Sequence, residues 1–377
     1  MKVSVLQENL AEGLSVVSRA VSPRSTLPVL ANVLIATDEG RLRLSATNLE
    51  LGITCWIGCK IETDGSTTVP ARTFADLVST LPSDHVDIEL TIRTQTLNVQ
   101  CGASNTDIKC IDAQEFPPMP TPDLSTAVEI NVTEMKEMIR QVAFAASTDD
   151  ARPILTGVLM TVEDSQITMA AADGFRLSVR SSELSSLAGQ HIRAVIPARA
   201  LMELSRIMGD GDKVVNMVLP PGRGQVIFRV NDIELVSQLI EGNFPEYEQI
   251  IPRTHQTRTV LATSAFLKAC KQAEIFAREG SHIARINIEP GGENQPGTVL
   301  ISAQSEETGS NETVVDATIE GEAVLIAFNV RFLREVLDVI RTPNVALETT
   351  AAASPGMIKP VGEDGFLHVI MPMHLGN

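Results

Sequence analysis

The sequence predicts an α+β fold made of three tandem copies of one domain, each with two helices on mostly antiparallel sheets. Each copy opens with an alternating apolar strand that runs into an amphipathic helix: VSVLQENLAEGLSVVSRAV from Val3, VEINVTEMKEMIRQVAFAA from Val128 and TVLATSAFLKACKQAEIFA from Thr259. Each copy then repeats strand and helix: TTVPARTFADLVSTL from Thr67, AVIPARALMELSRIM from Ala194 and LIAFNVRFLREVLDVI from Leu325. The apolar period changes from 2 to 3.6 at the same point in every copy, which indicates the same change from strand to helix.

The copies align with Leu10, Met135 and Phe266 at one equivalent position. The periodicity predicts six helices, over 7–20, 72–81, 133–146, 198–208, 263–278 and 330–341. Pro70 and Pro197 precede two of them, where a missing N–H costs little. A strand ending in proline closes each copy, and the segments PPMPTPDLSTA and PRTHQTRT read as linkers. We therefore expect domains over 1–121, 126–252 and 257–377.

Composition favours a soluble globular protein of 377 residues, with 44% hydrophobic and 20% charged residues. The N-terminus has no apolar signal-peptide region and no apolar run approaches the length of a membrane span, so we expect a cytoplasmic protein. The five cysteines lack CxxC spacing, as expected for reduced thiols. Cys55 and Cys59 could hold zinc by their number, but they flank the apolar run CWIGC, which favours packing. We predict no metal and no cofactor.

The charge is unevenly distributed. The formal net charge is −17, which by itself disfavours a nucleic-acid partner. The predicted helices, however, hold 12 of the 30 Lys and Arg residues and only 9 of the 47 Asp and Glu residues, a helix net charge of +3. Either these bases cover solvated helix faces, or they form a basic surface that binds phosphates without regard to sequence.

No catalytic constellation is present in the sequence. Walker A, GxGxxG, HExxH and GxSxG motifs are absent, and the six histidines are scattered. The stretch AAADGFRL, from Ala170, places Asp173 and Gly174 between alternating residues, which is typical of a tight turn. We therefore predict that the chain is not an enzyme.

Six short motifs, in order along the chain, resemble the β subunit of bacterial DNA polymerase III, the sliding-clamp family. They are MKVSV at the start, TLPVLANVL at 26–34, TTVPAR at 67–72, ADGFRL at 172–177, GNFPEY at 242–247 and VIMPMHL near the end. The resemblance implies a head-to-tail homodimer that closes a ring of six DNA-clamp domains around double-stranded DNA. Such a ring slides on DNA of any sequence and tethers the replicative polymerase, which confers processivity. The implied partners are the polymerase catalytic subunit, the clamp loader, repair polymerases and mismatch-repair proteins.

The resemblance also implies a pocket for short partner peptides that end in apolar residues. Its lining would be Leu155, Ala172, Gly174, Phe175, Arg176, Leu177, Pro245, Ile250, Val369 and Met371. We expect Leu155, Leu177 and Met371 to anchor the peptide and Arg176 to hold the rim. The sequence pattern alone favours ordinary core residues. Relatives often have Thr where Ala172 stands and His where Phe175 stands, so this pocket mouth is more apolar.

By the same resemblance, Arg24 contacts DNA, and Arg72, Arg152 and Arg199 are further candidates. Asp149 stands where the family often has an uncharged contact, and a carboxylate would repel phosphate, so we do not expect Asp149 to contact DNA. Across the dimer interface, Ile108 should meet Ile275 and Phe276. The alternative function is an acidic peptide-binding scaffold that does not encircle DNA.

Overall fold

The computed structural model describes residues 1–22, 27–184, 191–278, 281–292 and 295–374. The chain folds into two compact units. The first comprises Met1–Met135 and Ala200–Leu239, and the second comprises Lys136–Arg199 and Ile240–Asn377.

The described residues form six α-helices, each beginning within one residue of its predicted start. They are α1 Gln7–Val17, α2 Ala71–Thr80, α3 Val132–Val142, α4 Ala198–Ile207, α5 Thr263–Ala277 and α6 Val330–Val339. Two end early because the last predicted turn tightens into a 3-10 helix, over Ser18–Ala20 after α1 and Ala143–Ala145 after α3. The helical spacing of the apolar residues explains why these segments bury one face. In α5, for example, Phe266, Cys270 and Ala273 are fully buried.

The described residues also form twenty-five strands. In the first repeat these are β1 Lys2–Leu6, β2 Asn32–Asp38, β3 Arg41–Thr47, β4 Leu51–Gly58, β5 Lys60–Thr63, β6 Ser66–Pro70, β7 His85–Thr91, β8 Thr96–Cys101 and β9 Ser104–Lys109. In the second they are β10 Val128–Asn131, β11 Gly157–Glu163, β12 Gln166–Ala172, β13 Arg176–Glu183, β14 Ile192–Pro197, β15 Val214–Val218, β16 Gln225–Val230 and β17 Ile233–Gln238. In the third they are β18 Thr257–Ala262, β19 Ile283–Glu289, β20 Gly297–Ser305, β21 Gly309–Glu320, β22 Val324–Asn329, β23 Asn344–Thr349, β24 Gly356–Pro360 and β25 Phe366–Ile370.

The first unit contains two sheets among its described residues. One has the order β5-β1-β7-β8-β9, so β9 lies at its edge, and the other has the order β10-β15-β16-β17-β4-β3-β2-β6. The joint between β17 and β4 is antiparallel and pairs Leu235 with Ile53. Strands from the first and second repeats thus share one sheet, with α1 and α2 packed on each other beside it.

The second unit is built on one sheet of twelve described strands, in the order β14-β11-β12-β13-β25-β24-β23-β18-β21-β20-β19-β22. Here β13 of the second repeat pairs with β25 of the third, Leu177 opposite Val369. Helices α5 and α6 cover part of this sheet, and Phe266, Phe328 and Leu333 are central to the core between them. All strand pairs that form these sheets are antiparallel, as predicted.

No helix in the described ranges is both long and apolar enough to cross a membrane. Within the same ranges, no three His, Cys, Asp or Glu side chains lie together as metal ligands would. Cys55 is buried in β4, and burial raises the pKa of its thiol to about 11. A metal requires thiolate, and this environment favours the protonated thiol.

Candidate functional site

The candidate site lies in the second unit, on one face of the paired strands β13 and β25. Side chains at every second residue of a strand share a face, so Leu177 and Val179 lie together opposite Val369 and Leu367. They belong to one apolar cluster, whose buried members are Leu155, Leu159, Ala170, Ala172, Leu177, Val179, Val195, Phe244, Tyr247, Met357 and Val369. Four of the ten predicted pocket residues, Leu155, Ala172, Leu177 and Val369, are therefore brought into contact with one cluster.

These four residues are buried, so they are poorly placed to contact a peptide directly. Leu155 and Leu177 were expected to be anchors, yet Leu177 is fully buried and Leu155 is 8% exposed. They form a floor and offer little surface to a partner. Among the ten predicted residues, the large apolar side chains that are exposed are those of Phe175, Ile250 and Met371, with exposed fractions of 57%, 48% and 41%. Of the three expected anchors, only Met371 is accessible.

The turn between β12 and β13 holds Phe175 outward. The Asp173 carboxylate accepts hydrogen bonds from the backbone N–H groups of Phe175, at 2.9 Å, and Arg176, at 3.1 Å. Gly174 adopts a φ of +94°, in the left-handed region where a Cβ is costly. The tight turn predicted from Asp173 and Gly174 is confirmed. The exposed ring of Phe175 follows from it.

The rim is tied together by backbone and aromatic contacts. The N–H of Met371 donates to the carbonyl of Phe175 at 2.8 Å, which joins the segment after β25 to the turn. On the other side, Phe244 and Tyr247 pack edge to face with centroids 6.5 Å apart. Burial raises the pKa of Tyr247 to about 12, so its hydroxyl stays neutral. Pro245, between them, and Ile250, shortly after, are exposed.

Arg176 is not a member of the apolar cluster. It alternates with Leu177 and so lies on the opposite face of β13, where its side chain is almost completely buried. Its guanidinium donates to Asp173 Oδ2, to Glu335 Oε2 on α6 and to the carbonyl of Phe144. Arg176 therefore supports the turn from below. It lines a different pocket of about 360 Å³, together with Phe144, Phe175 and Phe332.

His368 completes the buried layer beneath the turn. Its Nδ1 lies 2.5 Å from the Ser178 hydroxyl, and its ring stacks on Phe144 with centroids 5.5 Å apart. Burial and the neighbouring Arg176 charge keep the pKa of His368 well below its ordinary value, so the ring is neutral. The roles of Phe144, Glu335, Phe332 and His368 were not predicted. Arg176 stands among apolar residues in β13, and this was the one indication in the sequence. A charged side chain there needs a buried partner, but the sequence does not identify that partner.

The arginines predicted to contact DNA differ in their exposure and in their ion pairs. Arg24 lies outside the described residues. Arg72, near the start of α2, is almost fully exposed and lies 3.7 Å from Asp76. Arg152 donates to Asp149 and to the carbonyl of Asp173, so part of its charge is neutralised at the turn. Arg199, in the first turn of α4, is exposed.

The predicted interface residues also differ in exposure. Ile108 lies on the edge strand β9, but its side chain is 6% exposed and faces the core of its own unit. Ile275 on α5 is 58% exposed, and Phe276 is partly buried against the core. Contact with a partner would therefore fall chiefly on Ile275.

Comparison with known proteins identifies the family. The models for the N-terminal, central and C-terminal domains of the DNA polymerase III beta subunit match residues 1–120, 129–246 and 248–374. The chain is 33% identical over 378 residues to the beta sliding clamp of Synechococcus elongatus, covering 100% of both, and 30% identical over 383 residues to that of Bacillus subtilis, covering 99% of both.

Solved structures agree with the sequence relatives. The sliding clamp of Bacillus subtilis superposes with a TM-score of 0.94 at 29% identity, covering 100% of each chain. The clamp of Pseudomonas aeruginosa bound to griselimycin gives a TM-score of 0.91 at 28% identity, with the same coverage. The three repeats match the three family domains in order, which confirms the tandem clamp-domain fold. The chain belongs to the DNA polymerase III β subunit family of sliding clamps.

Proposed function

We propose that two copies of this chain associate head to tail into a closed ring around double-stranded DNA, which tethers the replicative polymerase to its template in the cytoplasm. Sliding clamps make and break no covalent bond, so the chain is not an enzyme. Tethering raises the local concentration of polymerase at the primer end, and this accounts for processivity. The proposal rests on a pattern of strand pairing. Each unit contains one pair of neighbouring strands, here called a joint, that come from two different repeats. Two further strand edges could form such a joint but do not form one within the described residues.

The two joints are equivalent in register. In the first unit Ile53 on β4 lies opposite Leu235 on β17. In the second unit Ser178 on β13 lies opposite His368 on β25. Ile53 and Ser178 are separated by the same offset as Leu10 and Met135, the equivalent positions of the first two repeats. The first and second repeats thus each use their fourth strand to pair with the last strand of the next repeat.

The third repeat has a fourth strand and the first repeat has a last strand, and neither makes this joint within the described residues. Among these residues, the first part of β21 pairs on one side only, with β20, because its pairing with β18 begins at Ala317. The edge strand β9 pairs with β8 alone as a ladder. Unpaired strand edges favour association with another strand. The ladders extend the register to the two edges: Thr106 faces Val99 as Leu235 faces Phe228, and Glu312 faces Ser302 as Val179 faces Ala170. On this matching, Thr106 of one copy would lie opposite Asn311 of a second.

The same repeat logic assigns a role to Ile275. Ile275 is equivalent to Phe144, by the offset that relates Phe266 to Met135. Phe144 stacks on His368. His368 has the position in its strand joint that Thr106 would have in the joint between two copies. Ile275 would therefore pack over Thr106 of the second copy. Such a head-to-tail contact gives a closed ring when its rotation divides a full turn.

Binding to DNA would rest on charge rather than on base recognition. The helices carry a surplus of bases in a chain whose net charge is −17, and Arg72 and Arg199 are exposed at the first turns of α2 and α4. Phosphate contacts carry no sequence information, so a clamp of this kind can slide. Affinity that rests on counterion release falls steeply with salt.

The exposed rim of Phe175, Ile250 and Met371 would receive partner peptides that end in apolar residues. Exposed apolar patches on a soluble protein mark binding sites, and the 2.8 Å hydrogen bond from the Met371 N–H to the Phe175 carbonyl holds two of these residues together. The polymerase catalytic subunit, the clamp loader, repair polymerases and mismatch-repair proteins are the proposed partners. Each would compete for the same rim.

A loading experiment tests the ring. The protein is loaded onto nicked circular DNA by a clamp loader, and the circle is then cut at one site. We expect the clamp to stay on the circle and to leave the linear product, because only a closed ring is held by topology. Failure to load, or equal retention on linear DNA with free ends, contradicts the ring and favours the acidic scaffold that does not encircle DNA.

A further inference from the structure

The two strand joints within the chain end in the same hydrogen bond. In the second unit the N–H of Met371 donates to the carbonyl of Phe175 at 2.8 Å. In the first unit the N–H of Gln238 donates to the carbonyl of Glu50, also at 2.8 Å. Both donors lie three residues after the strand position that Thr106 would take in the joint between two copies. That joint should therefore end in a hydrogen bond of the same kind.

Lys109 takes this donor position in the joint between two copies. With Thr106 of one copy opposite Asn311 of the second, antiparallel pairing places Lys109 opposite Thr308. Lys109 is exposed at the end of β9, and its Nζ donates to the Thr96 hydroxyl at 3.0 Å. Within the described part of its own copy, it forms no ion pair. A charged side chain is thus available where the second copy would begin.

Two glutamates precede Thr308 in the loop between β20 and β21. Glu306 and Glu307 are exposed, and neither forms an ion pair among the residues that the structure describes. The Ser305 hydroxyl accepts hydrogen bonds from the N–H groups of Glu307 and Thr308, each at 3.2 Å, which orders the loop. Glu306 lies two residues before Thr308, so it would be a diagonal neighbour of Lys109. Diagonal neighbours are about 7 to 8 Å apart, which long side chains can span.

The β9 side of the joint carries two bases and one carboxylate. Arg93 is exposed in the loop between β7 and β8. This loop ends beside Lys109, because Thr96, the first residue of β8, pairs with Lys109. Asp107 lies two residues before Lys109, and its carboxylate accepts a hydrogen bond from Asn98 at 2.8 Å. The end of this side, where Lys109 and Arg93 lie, is therefore positive.

The β21 side of the joint is acidic. Residues 306–313 include three glutamates and no base. Arg285 on β19 lines one cavity of about 520 Å³ together with Glu306 and Glu312, so part of this negative charge is compensated within the copy. Even with Arg285 counted, the carboxylates are in excess. Sliding β9 by two residues would place Asp107 beside the loop glutamates, where like charges repel, so charge favours one register.

We propose that Lys109 of one copy forms ion pairs with Glu306 and Glu307 of the second, and that this contact sets the register of the strand joint that closes the ring. The inference rests on the head-to-tail dimer proposed above. Two observations support it: both joints within the chain place a hydrogen-bond donor at the position of Lys109, and exposed charges of opposite sign meet there. An exposed pair of this kind adds little affinity, but it disfavours wrong alignments.

Charge reversal in two separate chains tests the contact. Lys109→Glu, and the double variant Glu306→Lys with Glu307→Lys, each place like charges at both joints of their own dimer. We expect each to raise the dissociation constant of the dimer about ten-fold, because two exposed pairs change from attraction to repulsion. Sedimentation of fluorescently labelled full-length protein over a dilution series measures this constant. The difference from wild type should shrink as salt is added.

Mixing the two variants should restore the dimer. In a head-to-tail mixed dimer, one joint keeps the wild-type charges and the other has both signs reversed, so neither joint repels. We therefore expect the mixture to form mixed dimers with a dissociation constant near that of wild type. Lys60→Glu is the matched control, at an exposed lysine on β5, the opposite edge of the same sheet, and should leave the constant unchanged. Thermal denaturation checks that every variant is folded.

The outcomes separate this contact from the dimer itself. A Lys109→Glu dimer as tight as wild type overturns the contact and leaves the dimer in place. A mixture of the two variants that associates no more tightly than either variant alone also overturns the contact. A wild-type protein that is monomeric at micromolar concentration overturns the proposed dimer, and the contact fails with it.

Discussion

The guanidinium carbon of Arg176 lies 4.3 Å from the centre of the Phe332 ring on α6 and 5.4 Å from that of Phe144. The same guanidinium forms ion pairs with Asp173 and Glu335. One buried cation therefore connects the turn that presents Phe175 to a helix of the third repeat. The position of the exposed ring depends on a residue that is itself hidden.

Replacing Arg176 by Gln should destabilise the second unit. The change leaves Asp173 and Glu335 without their buried cation, and removing one partner of a buried pair costs about 3 to 5 kcal/mol. The midpoint of urea denaturation measures the loss. Arg331→Gln is the matched control, because Arg331 also pairs with Glu335 but is exposed, and its loss should cost less than about 1 kcal/mol. Equal effects of the two variants would show that Arg176 is an ordinary surface ion pair.

The free energy of unfolding should depend on pH through the carboxyl group of Glu335. Burial opposes ionisation of this carboxyl, but hydrogen bonds from Arg331 and Arg176 outweigh burial and lower its pKa. A lowered folded-state pKa contributes stability that is present at neutral pH and is lost as pH falls below the ordinary value of about 4.3. Glu335→Gln should therefore be less stable than wild type at pH 7, with a gap that narrows as the pH is lowered towards 3.

Urea denaturation at a series of pH values measures this gap. Glu8→Gln, at an exposed glutamate in the first turn of α1, serves as the control and should track the wild type at each pH. A gap that stays constant between pH 7 and 3 would show that the Glu335 charge makes no contribution to stability.

The local parts of the fold could be predicted from the sequence. Apolar residues that recur at helical spacing predict a buried face wherever the helix packs, and this is why α5 and α6 begin at their predicted residues. The turn at Asp173 and Gly174 is also local, because its hydrogen bonds join residues two and three apart. The internal repeats also predicted that the chain contains three domains of one kind.

Contacts between distant segments could not be predicted. Arg176 and Glu335 are 159 residues apart, and no period or motif in either segment refers to the other. The same limit applies to Ile108: the resemblance assigns it to an interface, and only the structure shows that its register on β9 directs it to the core. Alternation gives two faces to a strand, but tertiary packing decides which one is buried.

Phe175→Ser should weaken peptide binding without destabilising the fold. The ring is 57% exposed, and surface substitutions away from buried groups usually change stability by less than about 0.5 kcal/mol. Loss of an exposed apolar rim should weaken an apolar peptide several-fold, as measured by anisotropy and checked by thermal denaturation. Ile92→Ser is the control, since Ile92 is also exposed but lies between β7 and β8 in the first unit. If the two variants bind the peptide equally well, Phe175 does not belong to the site.

Asp substitutions at Ile275 and Ile108 should have different effects. Ile275 is exposed, so Ile275→Asp should fold normally and move the mass in solution from twice 40.6 kDa towards the monomer. Ile108 is buried beside Leu97, so Ile108→Asp places a charge in the core and should lower the melting temperature. Light scattering after gel filtration gives the mass, and Leu325→Asp, an exposed position on β22, should remain dimeric. A folded Ile275→Asp protein that stays a dimer would exclude Ile275 from the contact, and a monomeric wild type at micromolar concentration would contradict the dimer.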